Sequence, residues 1–263
     1  MKETTDLEHA NEYHDAMLDT CQLLWGEGFL APGGPGNVAR MVGGLDLKDR
    51  LVVDVGCGLG GPACVLAEQF GARVLGLDLE RPLIERARER AAQRGLADRV
   101  RFEVVGPGAL PCEDASVDLV ISAGAFTQTA DKRAAFRDCY RVLKIGGAIS
   151  LYDWVRAEAG ELSGDMQRWI ELEGLTYQLE TLERYGELLE EVGFREVALE
   201  DASTWYRRQV AVEHAALRGP LFGRMCELMG REQTEHFIEN WRAMRVVCET
   251  GEMRQGYTRG VKS

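Results

Sequence analysis

From residue 51 to residue 155, short apolar runs alternate with stretches of helical period. "LVVDV" (51–55), "RVLGLDL" (73–79), "VRFEVV" (100–105), "VDLVIS" (117–122) and "AISLYDWV" (148–155) are apolar-rich runs of strand length, as expected of strands covered on both faces. Between them, "PACVLAEQF" (62–70), "PLIERARERAAQRG" (82–95) and "KRAAFRDCYRVLK" (132–144) repeat apolar positions every three or four residues. That spacing gives a helix one buried stripe. Pro62 and Pro82 fall in first turns, where the missing N–H is no loss, and Gly95 closes the second helix. Such alternation predicts an α/β fold with a parallel sheet, helices on both faces, and ligands beyond the carboxyl ends of the strands.

After residue 156 the texture changes. "LSGDMQRWIELEGLTYQLETLERYGELLEEVGF" has helical period with a break at Gly174, and "REVALEDAS" (195–203) predicts a sixth strand. "YRRQVAVEHAALRG" (206–219) and "REQTEHFIENWRAMRVVCETG" (231–251) predict helices, and "EMRQGYTRGVK" (252–262) a last strand. The first forty residues read as helical with aromatics, followed by "APGGPG" (31–36) as a loop. Neither an internal repeat nor a low-complexity linker divides the 263 residues.

Charge narrows the partners. With 31 Lys and Arg against 43 Asp and Glu, the net charge of −12 repels phosphate backbones, so nucleic acid is not an expected partner. No apolar run reaches the roughly 18 residues that a membrane span needs. The start of the chain lacks the basic-then-apolar pattern of a secretory signal, so a cytoplasmic location is expected. The seven cysteines form no C-x-x-C, and the four histidines are scattered. Reduced thiols and no metal site are therefore expected.

The candidate chemistry begins at "LVVDVGCGLGGPA" (51–63), where Gly56, Gly58 and Gly61 spell G-x-G-x-x-G. Two ligands suit a strand, a glycine loop and a helix in succession. A dinucleotide would seat its pyrophosphate at the helix N-terminus. S-adenosylmethionine has no phosphate and carries cationic groups. Asp54 stands just before the first glycine, and an anion there suits a sulfonium or ammonium better than a pyrophosphate. Asp78 ends the second strand, a position from which a carboxylate bonds ribose hydroxyls. The plainer alternative is a tight turn with Asp78 capping the next helix. The whole D-x-G-x-G-x-G pattern, flanked by strand and helix, favours a nucleoside site. Tyr140 and Lys144 form the Y-x-x-x-K of short-chain dehydrogenases, but at the far end of their helix from the ligand edge. Tyr140 is expected to be partly core, and Lys144 a favourable charge at a helix C-terminus.

"VVDVGCGLGGPA", "VLGLDL", "LPCEDASVDLVIS" and "YRVLKIGGAISLYDW" resemble, in order and spacing, the successive motifs of class I S-adenosylmethionine-dependent methyltransferases. The resemblance implies a doubly wound, Rossmann-like, seven-stranded sheet with its last strand antiparallel, an N-terminal helical lid and a C-terminal helical insertion. Residues 1–263 would form a single domain, with a lid over 1–44, a cofactor-binding core over 45–155 and acceptor-side helices and last strands over 156–263. S-adenosyl-L-methionine would be the cofactor. Asp54, Gly56, Cys57 and Gly58 would line its methionine part, Asp78 its ribose and Leu79 its adenine. Gly106 and Pro107 would meet the adenine edge through backbone groups, Gly106 standing where many relatives carry an acid. Ser122 and Ala123 complete the implied cofactor set.

"LLWGEGFLAPGG" (23–34), "VEHAALRG" (212–219) and "GEMRQGYTRGVK" (251–262) further resemble phosphoethanolamine N-methyltransferases. "LPCEDASVDLVISAGAFTQTADK" also resembles sarcosine/dimethylglycine methyltransferases. Both methylate small amines, which implies a small-molecule acceptor here. The catalytic Tyr of the phospho-base enzymes corresponds to Tyr13, and their His to Gln128, which orients an acceptor but cannot act as a base. Gly124 replaces an acid, and Leu175 stands where a phosphate-binding Arg is expected. Trp154 and Tyr177 supply aromatic pocket positions, with core packing an equal alternative. Such a pocket suits an aromatic, apolar or cationic acceptor rather than phosphoethanolamine. His214, on a helix, is expected to be structural. O-, S- or C-methylation, a rearrangement using the bound cofactor, and a non-catalytic nucleoside-binding protein remain open, with a dehydrogenase last. So do the acceptor's identity and the choice between monomer and homodimer.

Overall fold

The structure, a computed structural model, describes residues 16–263. The described part of the first helix, α1, covers residues 16–25. There follow α2 (Gly34–Met41), β1 (Leu51–Val55), α3 (Gly61–Phe70), β2 (Arg73–Asp78), α4 (Arg81–Gln93), β3 (Val100–Val104) and β4 (Val117–Ala123). The next elements are α5 (Lys132–Val142), β5 (Leu143–Arg156), α6 (Gly164–Glu173), α7 (Leu182–Val192) and β6 (Arg195–Asp201). The chain ends with α8 (Ser203–Arg218), α9 (Phe222–Met229), α10 (Arg231–Thr250) and β7 (Met253–Val261).

The strands form one seven-stranded sheet in the order β3-β2-β1-β4-β5-β7-β6. β7 runs antiparallel to both neighbours, and the other pairs are parallel. From β1 the order runs outward in both directions, so the crevice between β1 and β4 is the switch point where such sheets bind ligands. One face buries Met41, Val42, Leu66, Ile84 and Phe102 under α2, α3 and α4. The other buries Phe136, Val142, Tyr185 and Leu189 under α5 and α7. A third cluster, rich in aromatics and methionine, joins α6, α8 and α10.

Three local expectations change. Helix α5 stops at Val142 and the chain enters β5 at once. Lys144 is therefore a strand residue, not a charge at a helix end, and its Nζ pairs with Asp118 at 2.9 Å. Tyr140 is packed as expected, its ring edge-on to Phe194 at 5.1 Å. The supposed loop "APGGPG" runs into α2, because Pro35 sits in the first turn, where proline is tolerated. Helix α9 was not expected from the pattern. Gly174 does end α6, in a left-handed conformation at φ 71°. Among the described residues no helix is long and apolar enough to cross a membrane.

One buried carboxylate joins the N-terminal helix to the C-terminal ones. Glu213 on α8 accepts from Trp25 Nε1 (2.8 Å), Trp241 Nε1 (3.1 Å) and Gln209 Nε2 (3.1 Å). Glu213→Ala leaves two indole N–H groups without an acceptor. It should cost about 3 kcal/mol in a urea unfolding titration. A loss below about 0.5 kcal/mol, the level of an ordinary surface substitution, would show that the joint is slack.

Candidate active site

The glycine loop is shaped by its neighbours before any ligand is considered. Gly56 has φ 72°, and the N–H groups of Gly56 and Cys57 both donate to Leu77 O, at 2.8 and 3.0 Å. Asp78 then holds the loop from the tip of β2. Its Oδ2 accepts from Gly58 N at 2.8 Å, and its Oδ1 from Glu80 N at 3.0 Å. The N-cap of α4 is Glu80, so the simple capping role for Asp78 does not hold. Each carboxylate oxygen has further lone pairs for hydroxyl donors.

Asp54 is 1% exposed, and neither of its carboxylate oxygens has a hydrogen-bond partner among the described residues. Burial first, and the charge of Asp78 second, push its carboxyl up to about 7. An isolated buried anion is costly, and a cation placed beside it relieves that cost. Ser122 Oγ donates to Val55 O at 2.8 Å, tying the end of β4 to that of β1.

Above the loop, the segment between α1 and α2 forms a roof. Gly61 N donates to Gly28 O at 3.0 Å, and a Cβ on Gly61 would fall 2.5 Å from that oxygen. A narrow cleft, partly open to solvent, lies between roof and loop. Leu30, Ala31 and Asn37 line it on one side, and Gly56, Cys57, Gly58 and Ala123 on the other. Arg90 fastens the roof by donating to Leu59 O and to Gln22 Oε1, which also accepts from Gly28 N at 2.9 Å. Sequence reasoning missed Arg90. Its signal was an arginine in the stripe Leu83, Ile84, Ala87, Arg90, Ala91, all buried.

Leu79 projects beyond β2 with 57% of its surface exposed. Val105 N donates to Asp78 O at 2.9 Å, which sets the exposed turn of Gly106 and Pro107 beside that strand tip. The orphaned acid, the glycine loop and the acid-held strand tip thus fit S-adenosylmethionine: a cationic tail at Asp54, hydroxyls at Asp78 and an apolar ring against Leu79.

On the acceptor side, Gly124 follows β4, its N–H donating to Tyr152 O at 2.9 Å. Gln128 is exposed at the end of a 3-10 turn, Phe126–Gln128. That turn meets the loop carrying Leu175 and Tyr177. Gln178 N donates to Thr127 O at 2.7 Å, and Lys132 Nζ donates to Gln178 O at 2.5 Å and Thr129 O at 2.9 Å. Trp154 stands edge-on to Tyr206 at 4.7 Å, and Tyr177 lies against Trp169 at 4.9 Å. Both are half-buried in the aromatic cluster, so they pack against core and can also present a face.

Buried Asp153 accepts from Tyr185 Oη at 2.9 Å and Trp154 N at 3.1 Å. Burial lifts its carboxyl to about 7, against the pull of Tyr185 and Lys132. Lys132 and Asp153 carried no sequence signal, since their partners come from a distant loop and helix. His214 is buried, and burial and then Arg245 lower its pKa, which suits a neutral structural residue. Tyr13 lies outside the described residues.

Comparison with known proteins follows the same lines. The family described as a methyltransferase domain matches residues 52–147. Phosphoethanolamine N-methyltransferase of Triticum aestivum is 31% identical over 242 residues, covering 92% of this chain and 47% of that protein. The chain therefore spans about half the length of the plant relatives it matches. The 27-O-demethylrifamycin SV methyltransferase of Amycolatopsis mediterranei is 32% identical over 209 residues, covering 74% of this chain and 76% of that one. Phosphoethanolamine N-methyltransferase 2 of Haemonchus contortus, solved with phosphomonomethylethanolamine and S-adenosylhomocysteine, shares the fold. Its TM-score is 0.87 at 22% identity, over 95% of this chain and 58% of that one.

Proposed function

We propose, because this chain belongs to the class I S-adenosylmethionine-dependent methyltransferases, that it methylates a small-molecule acceptor at an amine nitrogen. The observation that carries this reading is Asp54, a buried carboxylate at the mouth of the glycine loop with no hydrogen-bond partner among the described residues. Bound S-adenosylmethionine would supply a methyl group on a sulfonium, transferred by in-line displacement, so the protein's task is chiefly to position.

Asp54 and the backbone of Gly56, Cys57 and Gly58 would hold the cationic tail. Asp78 would accept from the ribose hydroxyls, with Leu79, Gly106 and Pro107 around the adenine, and Ser122 and Ala123 would complete the cofactor site. Residues 1–44 would act as the lid, Tyr13 closing it over the acceptor. Gln128 would hydrogen-bond the acceptor, while Gly124, Trp154 and Tyr177 shape its space. A cytoplasmic enzyme, monomeric or homodimeric, completes the proposal.

Methyl-labelled cofactor and a panel of small amines, followed by mass spectrometry, test the reading. Label on nitrogen is expected. The relative named for a 27-O-demethyl substrate, together with Gln128 in the place of a base, favours O-methylation as the second reading, and label on oxygen would select it. Substrate turned over without label would select a rearrangement. Cofactor bound without any turnover would select a binding protein. Asp78→Ala should weaken S-adenosylmethionine binding by about 30-fold in calorimetry, on the order of 2 kcal/mol for a lost charge-assisted bond. Unchanged affinity would mean that the ribose sits elsewhere.

A further inference from the structure

A second polar group lies in the aromatic cluster beyond the glycine loop. Glu173, the last residue of α6, accepts from Asn240 Nδ2 on α10 at 2.5 Å, and Tyr177 lies beside it. Among the described residues no cation offsets its burial, which raises its carboxyl above the ordinary range. Asn240 is 6% exposed, and its Oδ1 has no donor among the described residues. Trp169 is 1% exposed, and its Nε1 has no acceptor among the described residues. The Trp169 ring faces Tyr177 at 4.9 Å and Trp154 at 6.5 Å.

Native interiors seldom leave buried amide and indole groups unpaired, and each such case calls for a missing partner. Here the deficits have a common sense. A carboxylate and an amide oxygen stand side by side, since the amide nitrogen already donates to the carboxylate. Together they want donors and positive charge. The half-buried rings of Trp154 and Tyr177 beside them offer faces that attract a cation. The cluster also adjoins the acceptor side. Tyr177, beside Glu173, belongs to the loop that Gln178 pins to the Gln128 turn, and Trp154 follows Asp153 in β5.

We propose that Glu173 and Asn240 bind the ammonium group of an aromatic or apolar amine, and that this amine is the acceptor. The proposal rests on the methyl transfer inferred above and names its substrate class: a cation with an apolar body and no phosphate. The ammonium donates to Glu173 and to Asn240 Oδ1 and passes one proton to the Glu173 carboxylate, which frees the nitrogen lone pair to take the methyl group as the carbon–sulfur bond breaks; the apolar body lies against the half-buried rings of Trp154 and Tyr177. The free N–H of Trp169 meets an acceptor atom on the same molecule, where there is one. A phosphate dianion would meet the charge of Glu173 unscreened.

Calorimetry on the full chain, saturated with S-adenosylhomocysteine, tests this with three probes. Tryptamine carries the ammonium, tryptophol is its neutral counterpart, and phosphoethanolamine is the phospho-base. Tryptamine should bind at least about tenfold tighter than tryptophol, as a charge-assisted bond requires, and tighter than phosphoethanolamine. Glu173→Gln should erase the preference for tryptamine while leaving S-adenosylhomocysteine affinity unchanged. Equal binding of tryptamine and tryptophol, no tryptamine binding, tighter phosphoethanolamine, or a Glu173→Gln protein that keeps the preference would each overturn the proposal. If Glu173→Gln does not fold, the wild-type comparison of probes decides alone. An ammonium preference without label transfer would sink the methyltransferase reading and spare this site. Label transfer without the preference would do the reverse.

Discussion

Asp54→Asn should weaken S-adenosylmethionine binding by about 100-fold, or roughly 2.7 kcal/mol, while making the ligand-free protein more stable at pH 8. Both effects come from one side chain. Asp54 is buried with no hydrogen-bond partner among the described residues, and burial lifts its carboxyl from 3.8 to about 7 in the folded protein. A carboxyl whose folded pKa lies above its unfolded value keeps its proton longer in the native state. Stability therefore falls as pH rises from about 4 towards about 7, and the full penalty persists above that. A shift of this size is worth on the order of a few kcal/mol. Asparagine removes the charge at the smaller cost of a buried amide. Thermal melts of both proteins at pH 5 and pH 8 would show a wild-type deficit that grows with pH. The cation reverses the sign. It prefers ionised Asp54, so wild-type affinity should rise through pH 7, and that slope should vanish in the variant. A flat wild-type profile would remove Asp54 from cofactor recognition. The charged group facing Asp54 is Asp78, whose repulsion adds to the effect.

Gly56→Ala should give a protein that melts about 10 °C lower and has no measurable cofactor affinity. The backbone at Gly56 is left-handed, φ 72°, which costs an alanine about 1–2 kcal/mol. Its Cβ would also fall 2.2 Å from the Cβ of Ala125, far inside contact distance. Relief requires moving either the turn after β4 or the loop itself, and the loop is held by the paired bonds of Gly56 and Cys57 to Leu77 O. About 3 kcal/mol lost in a domain of this size gives the stated shift. The displaced loop no longer lines the cleft under Leu30 and Ala31. A variant with unchanged melting and calorimetric affinity would show that the turn yields freely.

Local pattern settled much of this molecule. Apolar runs of strand length, helical stripes, Pro62 after the glycine loop and Asp54 with Asp78 at neighbouring strand tips depend on residues close in sequence or on a repeating unit. They placed the parallel strands and the cofactor edge. Register and termination were less visible. Nothing in "KRAAFRDCYRVLK" says that the helix yields to β5 at Leu143, because that boundary depends on pairing with β4 and on Asp118, which receives Lys144.

Sequence by itself determined the fold class, the order of strands and helices through β5, and the chemistry offered at the glycine loop. These follow from apolar runs of strand length, from the 3.6-residue period of the helices and from glycines and acids at fixed spacing. Tertiary structure alone decided that Arg90 fastens the roof, that Glu173 meets Asn240, and that, among the described residues, Asp54 and the Trp169 indole N–H have no partner. Each of these states depends on which distant groups arrive and which do not. A buried polar atom is defined by its neighbours in space, and one-dimensional spacing does not record them.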